Sequence, residues 1–243
     1  MLIPILTGFF RVTQHQAHGT SLAVIGATAL MSVIVYAIHG NVAYWTAAFV
    51  AVASMFTARI GARLAAKQSP RQLARAFSIF IFLVGIRLLW RVPEPTVAVF
   101  HSGPAALWFD LVLGGIVGLI AGFMGVGGGI LTVPVFTLGL GMSQQLAQGT
   151  SLAIILVAAP AGAIEHARHG NVMRKLVPWL AMGAAVGGPV AAWLVQELPQ
   201  AVLSRSFALF LLANAINTWI RAGRKPRPGP AQDAGQGGLS PRA

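Results

Sequence analysis

The sequence predicts an all-α polytopic membrane protein, and three observations carry this prediction. Of the 243 residues, 56% are hydrophobic and only 9% are charged, whereas a soluble domain carries about 25% charged residues. The mean hydropathy is +0.74. Apolar stretches also recur at the length of about 20 residues that a helix needs to cross a bilayer. Together these features exclude an ordinary soluble enzyme.

Charge and cysteine content exclude further classes of protein. The net charge is +12, from 17 Lys and Arg against 5 Asp and Glu, but the basic residues are scattered between apolar runs and form no stripe that would suit nucleic acid. With no cysteine the chain has no disulfide, no thiolate nucleophile and no cysteine-based metal site. We expect no metal, no cofactor and no enzymatic activity.

Seven stretches are long and apolar enough to be predicted as full transmembrane helices: 21–38, 42–64, 73–90, 107–124, 151–167, 176–195 and 203–220. Between the fourth and fifth lies 127–140, a shorter apolar segment that opens with three glycines and contains Pro134. We predict a half-helix or a re-entrant piece there, because irregular backbone at membrane depth needs protein or a cavity around it. The Gly-, Pro- and Arg-rich segment 222–243 is predicted to be a disordered tail.

Lys and Arg predict the orientation of the spans. They cluster in 59–75, 168–175 and 221–227, and such clusters lie on the cytoplasmic side of a membrane. We therefore expect a multi-pass protein of the bacterial inner (plasma) membrane with a cytoplasmic C-terminus. Arg87 and Arg91 would lie on the outer side and are exceptions to this pattern.

An internal repeat is the strongest signal in the sequence. Gly-Thr-Ser-Leu-Ala at 19–23 recurs at 149–153, and His-Gly-Asn-Val at 39–42 recurs at 169–172, both 130 residues later. The basic clusters place the two equivalent loops on opposite sides of the membrane. We therefore predict two inverted-topology repeats, 1–91 and 107–221, joined by an inter-repeat loop at 92–106. In transporters the substrate binds between such repeats.

The first repeat is expected to lack its opening helix. In the same register, the equivalent of 110–129 would precede Met1. Either the start codon is assigned too late, which we favour, or the first unit is naturally shortened.

The glycine-rich segment is the first candidate for anion binding. Gly127, Gly128 and Gly129 precede an apolar segment that is predicted to be helical. The N-terminus of a helix presents unpaired N–H groups and a partial positive charge to an anion. Close packing of membrane helices is an equally good explanation of these glycines, and the sequence leaves both open.

The two Gly-Thr-Ser motifs are the second candidate. They lie at the starts of two predicted spans, where Thr and Ser are either N-caps or donors to a bound oxyanion. Gln14, Gln144 and Gln148 lie just upstream and add neutral donors. The motif residues are Gly19, Thr20, Ser21, Gly149, Thr150 and Ser151.

Polar residues near the ends of the spans complete the candidates. Asn41 and Asn171 follow His-Gly, and either end a helix in a left-handed turn or contact the substrate. His15 and His18 are candidates for proton coupling, because the ordinary pKa of histidine lies near neutral pH. Asp110 and Glu165 lie close enough to span ends to be interfacial, so no carboxylate is expected deep in the membrane. A substrate that is anionic or neutral is therefore favoured.

These motifs resemble those of a known family. Gly-x-Gly-Gly-Gly-x-Leu-x-x-Pro, followed by Gly-Thr-Ser-Leu and Gly-Asn-Val with the last two doubled, resembles the sulfite exporter TauE/SafE family, also known as TSUP. The resemblance covers about residues 1–221 and implies transport of sulfite, organosulfonates or related anions across the inner membrane. The family's first glycine motif is missing, and Ala43 and Met173 stand where an aspartate is common.

We therefore predict a secondary transporter that binds a small sulfur-containing anion at helix N-termini and glycine-rich breaks between the repeats. Its partners would be this anion and the lipid bilayer, with a homo-oligomer possible and no nucleic acid. The alternatives are a passive anion channel and a transporter of an unrelated small carboxylate-type anion. Saturable flux that depends on a counter-ion distinguishes a transporter from a channel.

Overall fold

The computed structural model describes residues 14–65, 68–90, 104–124 and 129–223, and these ranges contain helices and turns but no strand. A few side chains inside the helices, among them those of Gln14, His15, His18 and Glu165, lie outside the described part. The described helices are α1 (Gln14–Ile38), α2 (Tyr44–Ala65), α3 (Pro70–Trp90), α4 (Pro104–Met124), α5 (Gly129–Gly139), α6 (Gln144–Arg168), α7 (Val177–Gln196) and α8 (Gln200–Gly223).

The prediction of a polytopic all-α membrane protein is confirmed. All seven predicted spans fall on described helices, and five of these helices are long and apolar enough to cross a membrane: segments Gly19–Ile38, Tyr44–Ala65, Arg71–Trp90, Val177–Gln196 and Gln200–Ile220. The apolar part of α4, Leu107–Phe123, is shorter. Exposed large apolar side chains cover the outer faces of these helices, as lipid contact requires.

The helix boundaries correct several predictions. α1 and α6 begin at Gln14 and Gln144, not at residues 21 and 151, so the Gly-Thr-Ser motifs lie inside helices and their interpretation as N-caps is wrong. Ser143 caps α6 instead, because its Oγ accepts the N–H of Leu146 at 3.1 Å. α4 begins inside the predicted 92–106 loop, and α8 continues to residue 223, inside the predicted tail.

The short glycine-led segment forms the half-helix that its length predicts. α5 has 11 residues and contains Pro134. At about 1.5 Å per residue it is about 17 Å long, roughly half of the bilayer's hydrocarbon core. The glycines at 127 and 128 lie outside the described residues, and Gly129 begins α5.

Two helices, α1 and α6, cross at the centre of the described part. The beginning of each contacts the end of the other, so they run antiparallel. α7 packs on α1, where Gly188 approaches Thr28 and Ser32. α2, α5 and α6 share one buried apolar cluster that includes Val50, Phe136 and Ala147.

The remaining helices pack around this centre in two pairs. α4 lies along α2 in the same direction, with Gly114 against Val50 and Gly122 against Ala58. α3 and α8 pack antiparallel through Leu88, Ala208 and Leu211. The α1–α6 pair is thereby enclosed on several sides, and most of the predicted site residues lie at its two ends.

Candidate functional site at the crossing of two helices

The same turn ends both central helices. Gly40 and Gly170 have φ of 71° and 70°, in the left-handed region that glycine adopts without strain. The N–H of Asn41 donates to the carbonyl of Tyr36, and that of Asn171 to the carbonyl of His166, each at 2.8 Å. This is the Schellman pattern of a helix C-terminus. The Gly-Asn pairs therefore end helices in left-handed turns, which is one of the two interpretations that the sequence left open.

Each turn is held by a threonine from the opposite helix. Thr20 Oγ1 in α1 accepts the N–H of Met173, and Thr150 Oγ1 in α6 accepts the N–H of Ala43, both at 3.0 Å. Both threonines are completely buried. The two contacts are equivalent under the 130-residue offset, so the doubled motifs meet each other: Gly-Thr-Ser of one half lies against Gly-Asn-Val of the other. The two contacts lie at opposite ends of the antiparallel pair, because Thr20 and Tyr36 of α1 are 16 residues apart, about 24 Å along a continuous helix. We call these residues the crossing site, with 19–21 and 171–173 at one end and 149–151 and 41–43 at the other.

The glycines of the motif permit this close approach. A Cβ on Gly19 would overlap the carbonyl oxygen of Asn171, and one on Gly149 would overlap that of Asn41. The Cβ added to Gly19 would lie 2.8 Å from Cβ of His166, and the Cβ added to Gly149 would lie 2.9 Å from Cβ of Tyr36. Glycine is therefore required at both positions by the crossing itself.

Polar side chains surround the crossing site. Ser21 and Ser151 are buried, at 5% and 3% exposure. The hydroxyl of Tyr36 donates to Gln148 Oε1 at 2.7 Å, so Gln148, which we expected as a donor, acts as an acceptor in this contact. The amide of Asn41 donates to Gln196 Oε1. These bonds link α1 to α6 and α7 through side chains more than 100 positions apart.

Gln144 differs from the other predicted site residues. Its backbone N–H donates to Gln200 Oε1 at 2.8 Å, but neither Nε2 nor Oε1 of its side chain has a hydrogen-bond partner, although the residue is completely buried. Buried polar groups in native proteins are nearly always paired. Gln144 thus has hydrogen-bonding capacity that the described residues do not use.

Some predicted site residues cannot be placed at the crossing. Gly127 and Gly128 lie outside the described residues, as do the side chains of His15 and His18. Asp110 is enclosed by protein, at 4% exposure, and it takes part in a polar interaction. Its position three residues after the start of the apolar part of α4, Leu107–Phe123, keeps it near the end of the span.

The described surface also has an apolar pocket of about 320 Å³, away from the crossing site. It lies between α3 and α8 and is lined by Ser78, Ile79, Phe82, Leu83, Ala215, Ile216 and Trp219. Five of these side chains are exposed large hydrophobics, so the pocket faces the surroundings and its lining is mostly apolar. No group of three acidic or histidine side chains within the described ranges could hold a metal ion.

Comparison with known proteins decides the family. The model of the family described as "Sulfite exporter TauE/SafE" matches residues 1–88 and 111–241. The chain belongs to this family. The two matched segments include every residue of the crossing site.

Relatives of this TauE/SafE protein are membrane transporters by name. The probable membrane transporter protein YunE of Bacillus subtilis is 27% identical over 208 residues, which cover 79% of this chain and 76% of YunE. A probable membrane transporter protein of Xylella fastidiosa is 26% identical over 217 residues, 88% of this chain and 83% of the relative. No solved structure matches the chain. The protein is a multi-pass membrane transporter of the TauE/SafE family.

Sequence reasoning missed several residues near the site. Tyr36, Gln196 and Gln200 supply bonds to predicted site residues, and none of them belongs to a repeated motif. The repeat offers one signal that could have found Tyr36 and its partner Gln148. At the 130-residue offset Tyr36 corresponds to His166, and Gln148 corresponds to His18. Both members of the pair are polar in both halves.

Proposed function

We propose that this TauE/SafE family transporter is a secondary transporter of a small sulfur-containing anion, such as sulfite or an organosulfonate, across the bacterial inner membrane. The observation that carries the proposal is the reciprocal contact between Gly-Thr-Ser of one half and Gly-Asn-Val of the other. Both copies of the motif are buried between the two halves, one at each end of the α1–α6 pair, and transporters built from repeats bind their substrate at such an interface.

The two halves are proposed to be inverted repeats. The antiparallel crossing of α1 and α6 and the reciprocal bonds of Thr20 and Thr150 support a two-fold axis in the membrane plane. The basic clusters at 59–75, 168–175 and 221–227 favour a cytoplasmic C-terminus. Alternating access follows from rocking of one half against the other about the crossing, as in other inverted-repeat transporters.

The anion is proposed to bind between the two halves, at one end of the crossing site or at the glycine-led N-terminus of α5. The candidates are uncharged groups: hydroxyls of Thr20, Ser21, Thr150 and Ser151, amides of Gln144, Asn41 and Asn171, and backbone at the glycines 19, 149, 127, 128 and 129. A threonine hydroxyl that accepts one N–H keeps its own O–H as a donor. Neutral donors bind an oxyanion without a fixed positive charge, which favours its release. His15 and His18 are proposed to couple a proton.

The decisive experiment is anion flux into proteoliposomes. Purified protein is tested with sulfite, sulfate and a small sulfonate, with and without an imposed pH gradient, beside protein-free liposomes. We expect saturable flux of at least one of these anions that responds to the gradient. Flux that does not saturate would indicate a channel instead. Acetate is tested in parallel, and flux of acetate but of no sulfur anion would overturn the substrate class and favour a carboxylate-type substrate.

A further inference from the structure

Three buried polar atoms have no hydrogen-bond partner in the described part of the chain: Nε2 and Oε1 of Gln144, and Oγ of Ser204. Both residues are completely buried. A donor or acceptor that is removed from water without a partner is unfavourable, and native structures contain few. Two such side chains therefore indicate groups that a ligand satisfies.

The two residues lie at helix beginnings that are bonded to each other. Gln144 is the first residue of α6, and its N–H donates to Gln200 Oε1 in the first turn of α8 at 2.8 Å. The amide Nε2 of Gln145 donates to the carbonyl of Leu198 just before α8, at 3.1 Å. Ser204 follows Gln200 by four residues, so it lies one turn further along the same face of α8.

The chemistry of this place suits a small anion. Two helix N-termini meet there, and each carries a partial positive charge. The unpartnered groups include an amide N–H₂ and a hydroxyl, which donate to an anion's oxygen atoms. Glu197 is the nearest acidic residue along the chain, and its side chain is exposed. A cation site would instead require buried carboxylates or a set of carbonyl oxygens.

We propose that Gln144 and Ser204 form a polar subsite that binds an oxygen-bearing end of the transported anion. This inference rests on the proposed function and adds a residue, Ser204, that no repeated motif marks. The subsite belongs to the second half alone, because Pro70 and Ala74 occupy the positions 130 residues before Gln200 and Ser204. The anion is therefore held asymmetrically, with one end at the start of α6.

The test compares Ser204→Ala and Gln144→Met with a matched control, Ser78→Ala. Ser78 is a buried serine on α3, at 2% exposure, but its Oγ already donates to the carbonyl of Arg75 at 2.9 Å. Thermal unfolding of each purified protein is followed while sulfite, sulfate or methanesulfonate is titrated. The anion-dependent rise of the unfolding temperature gives the apparent affinity.

We expect Ser204→Ala and Gln144→Met to bind the anion about tenfold more weakly than the parent protein, the size of one lost hydrogen bond to a charged group. Without anion, Ser204→Ala should unfold at the same or a higher temperature, because it removes a buried atom that has no partner. Ser78→Ala should bind the anion normally.

Two other outcomes overturn different statements. If an anion stabilises the parent protein and Ser204→Ala equally, the subsite is wrong and the proposed function stands. If none of the three anions stabilises the parent protein, the proposed sulfur-anion function fails and the subsite fails with it. Ser204→Ala removes one oxygen atom only, so it decides the question even if Gln144→Met does not fold.

Discussion

At the scale of single residues, the two threonines of the crossing site act first as acceptors. Thr20 and Thr150 each accept a backbone N–H from the loop that follows the opposite helix. Other threonines use their hydroxyls within their own helix, since Thr28 donates to Val24 and Thr137 to Val133. The crossing threonines therefore tie the two halves together, and any contact with substrate is additional to this role.

We expect Thr150→Val to destabilise the protein by about 1–3 kcal/mol, because the partly buried N–H of Ala43 loses its acceptor. Thr150→Ser keeps the oxygen and should be close to neutral. Thr28→Val is the matched control, since it removes only a bond within one helix. Thermal unfolding in detergent measures all three. Equal stability of Thr150→Val and Thr150→Ser would show that the bond across the crossing is dispensable.

At the scale of elements, two helices with the same place in the repeat have different surroundings. α2 is covered by α4, whose glycines at 114, 118 and 122 bring the two backbones together, as small residues do between membrane helices. α7 corresponds to α2 at the 130-residue offset, yet Ala192 is its only buried residue within the described part. A Cβ added to Gly183 or Gly187 of α7 would have no atom of a neighbouring helix within 4 Å.

This contrast predicts opposite effects of the same substitution. Gly118→Leu should separate α4 from α2, because even a Cβ there overlaps Thr57 Oγ1 and Cα of Ser54. Overpacking of this kind lowers the free energy of unfolding by about 1–3 kcal/mol or more. Gly187→Leu should change the free energy of unfolding by no more than about 0.5 kcal/mol. The expression level and the thermal unfolding temperature of the two variants are compared. A strong loss of stability in Gly187→Leu would show that α7 makes a contact at this position that is absent among the described residues.

At the scale of the whole molecule, the proposed inversion of the two halves has a direct test. His39 and His169 occupy equivalent turns and are both exposed. The protein has no cysteine, so a single introduced cysteine can be labelled without any background. An inverted arrangement requires that the two turns face opposite sides of the membrane.

We expect His39→Cys to react with a membrane-impermeant maleimide in intact cells and His169→Cys to react only after the cells are permeabilised. The basic cluster at 168–175 places the second turn in the cytoplasm. Reaction of both variants from the same side would rule out inverted repeats, whatever the substrate. Each variant is a control for the other.

Much of the fold follows from the sequence because it depends on local physics. Apolar stretches of bilayer length predict the spans, and the glycines at 40 and 170 predict the helix ends, since glycine adopts positive φ freely. The half-helix α5 follows from the length of its segment. The beginnings of α1 and α6 could not be placed as well, because the polar residues before the Gly-Thr-Ser motifs resemble a loop, although they form helix.

The sequence by itself determined the class of protein, the repeat register and the list of candidate residues. The tertiary structure decided which of them meet. A register shows that residues 20 and 150 are equivalent, but it cannot show that each bonds to the other half, because that depends on how helices pack across more than 100 residues of chain. For the same reason only packing could show that Asp110 is buried and that Gln144 and Ser204 are enclosed without partners.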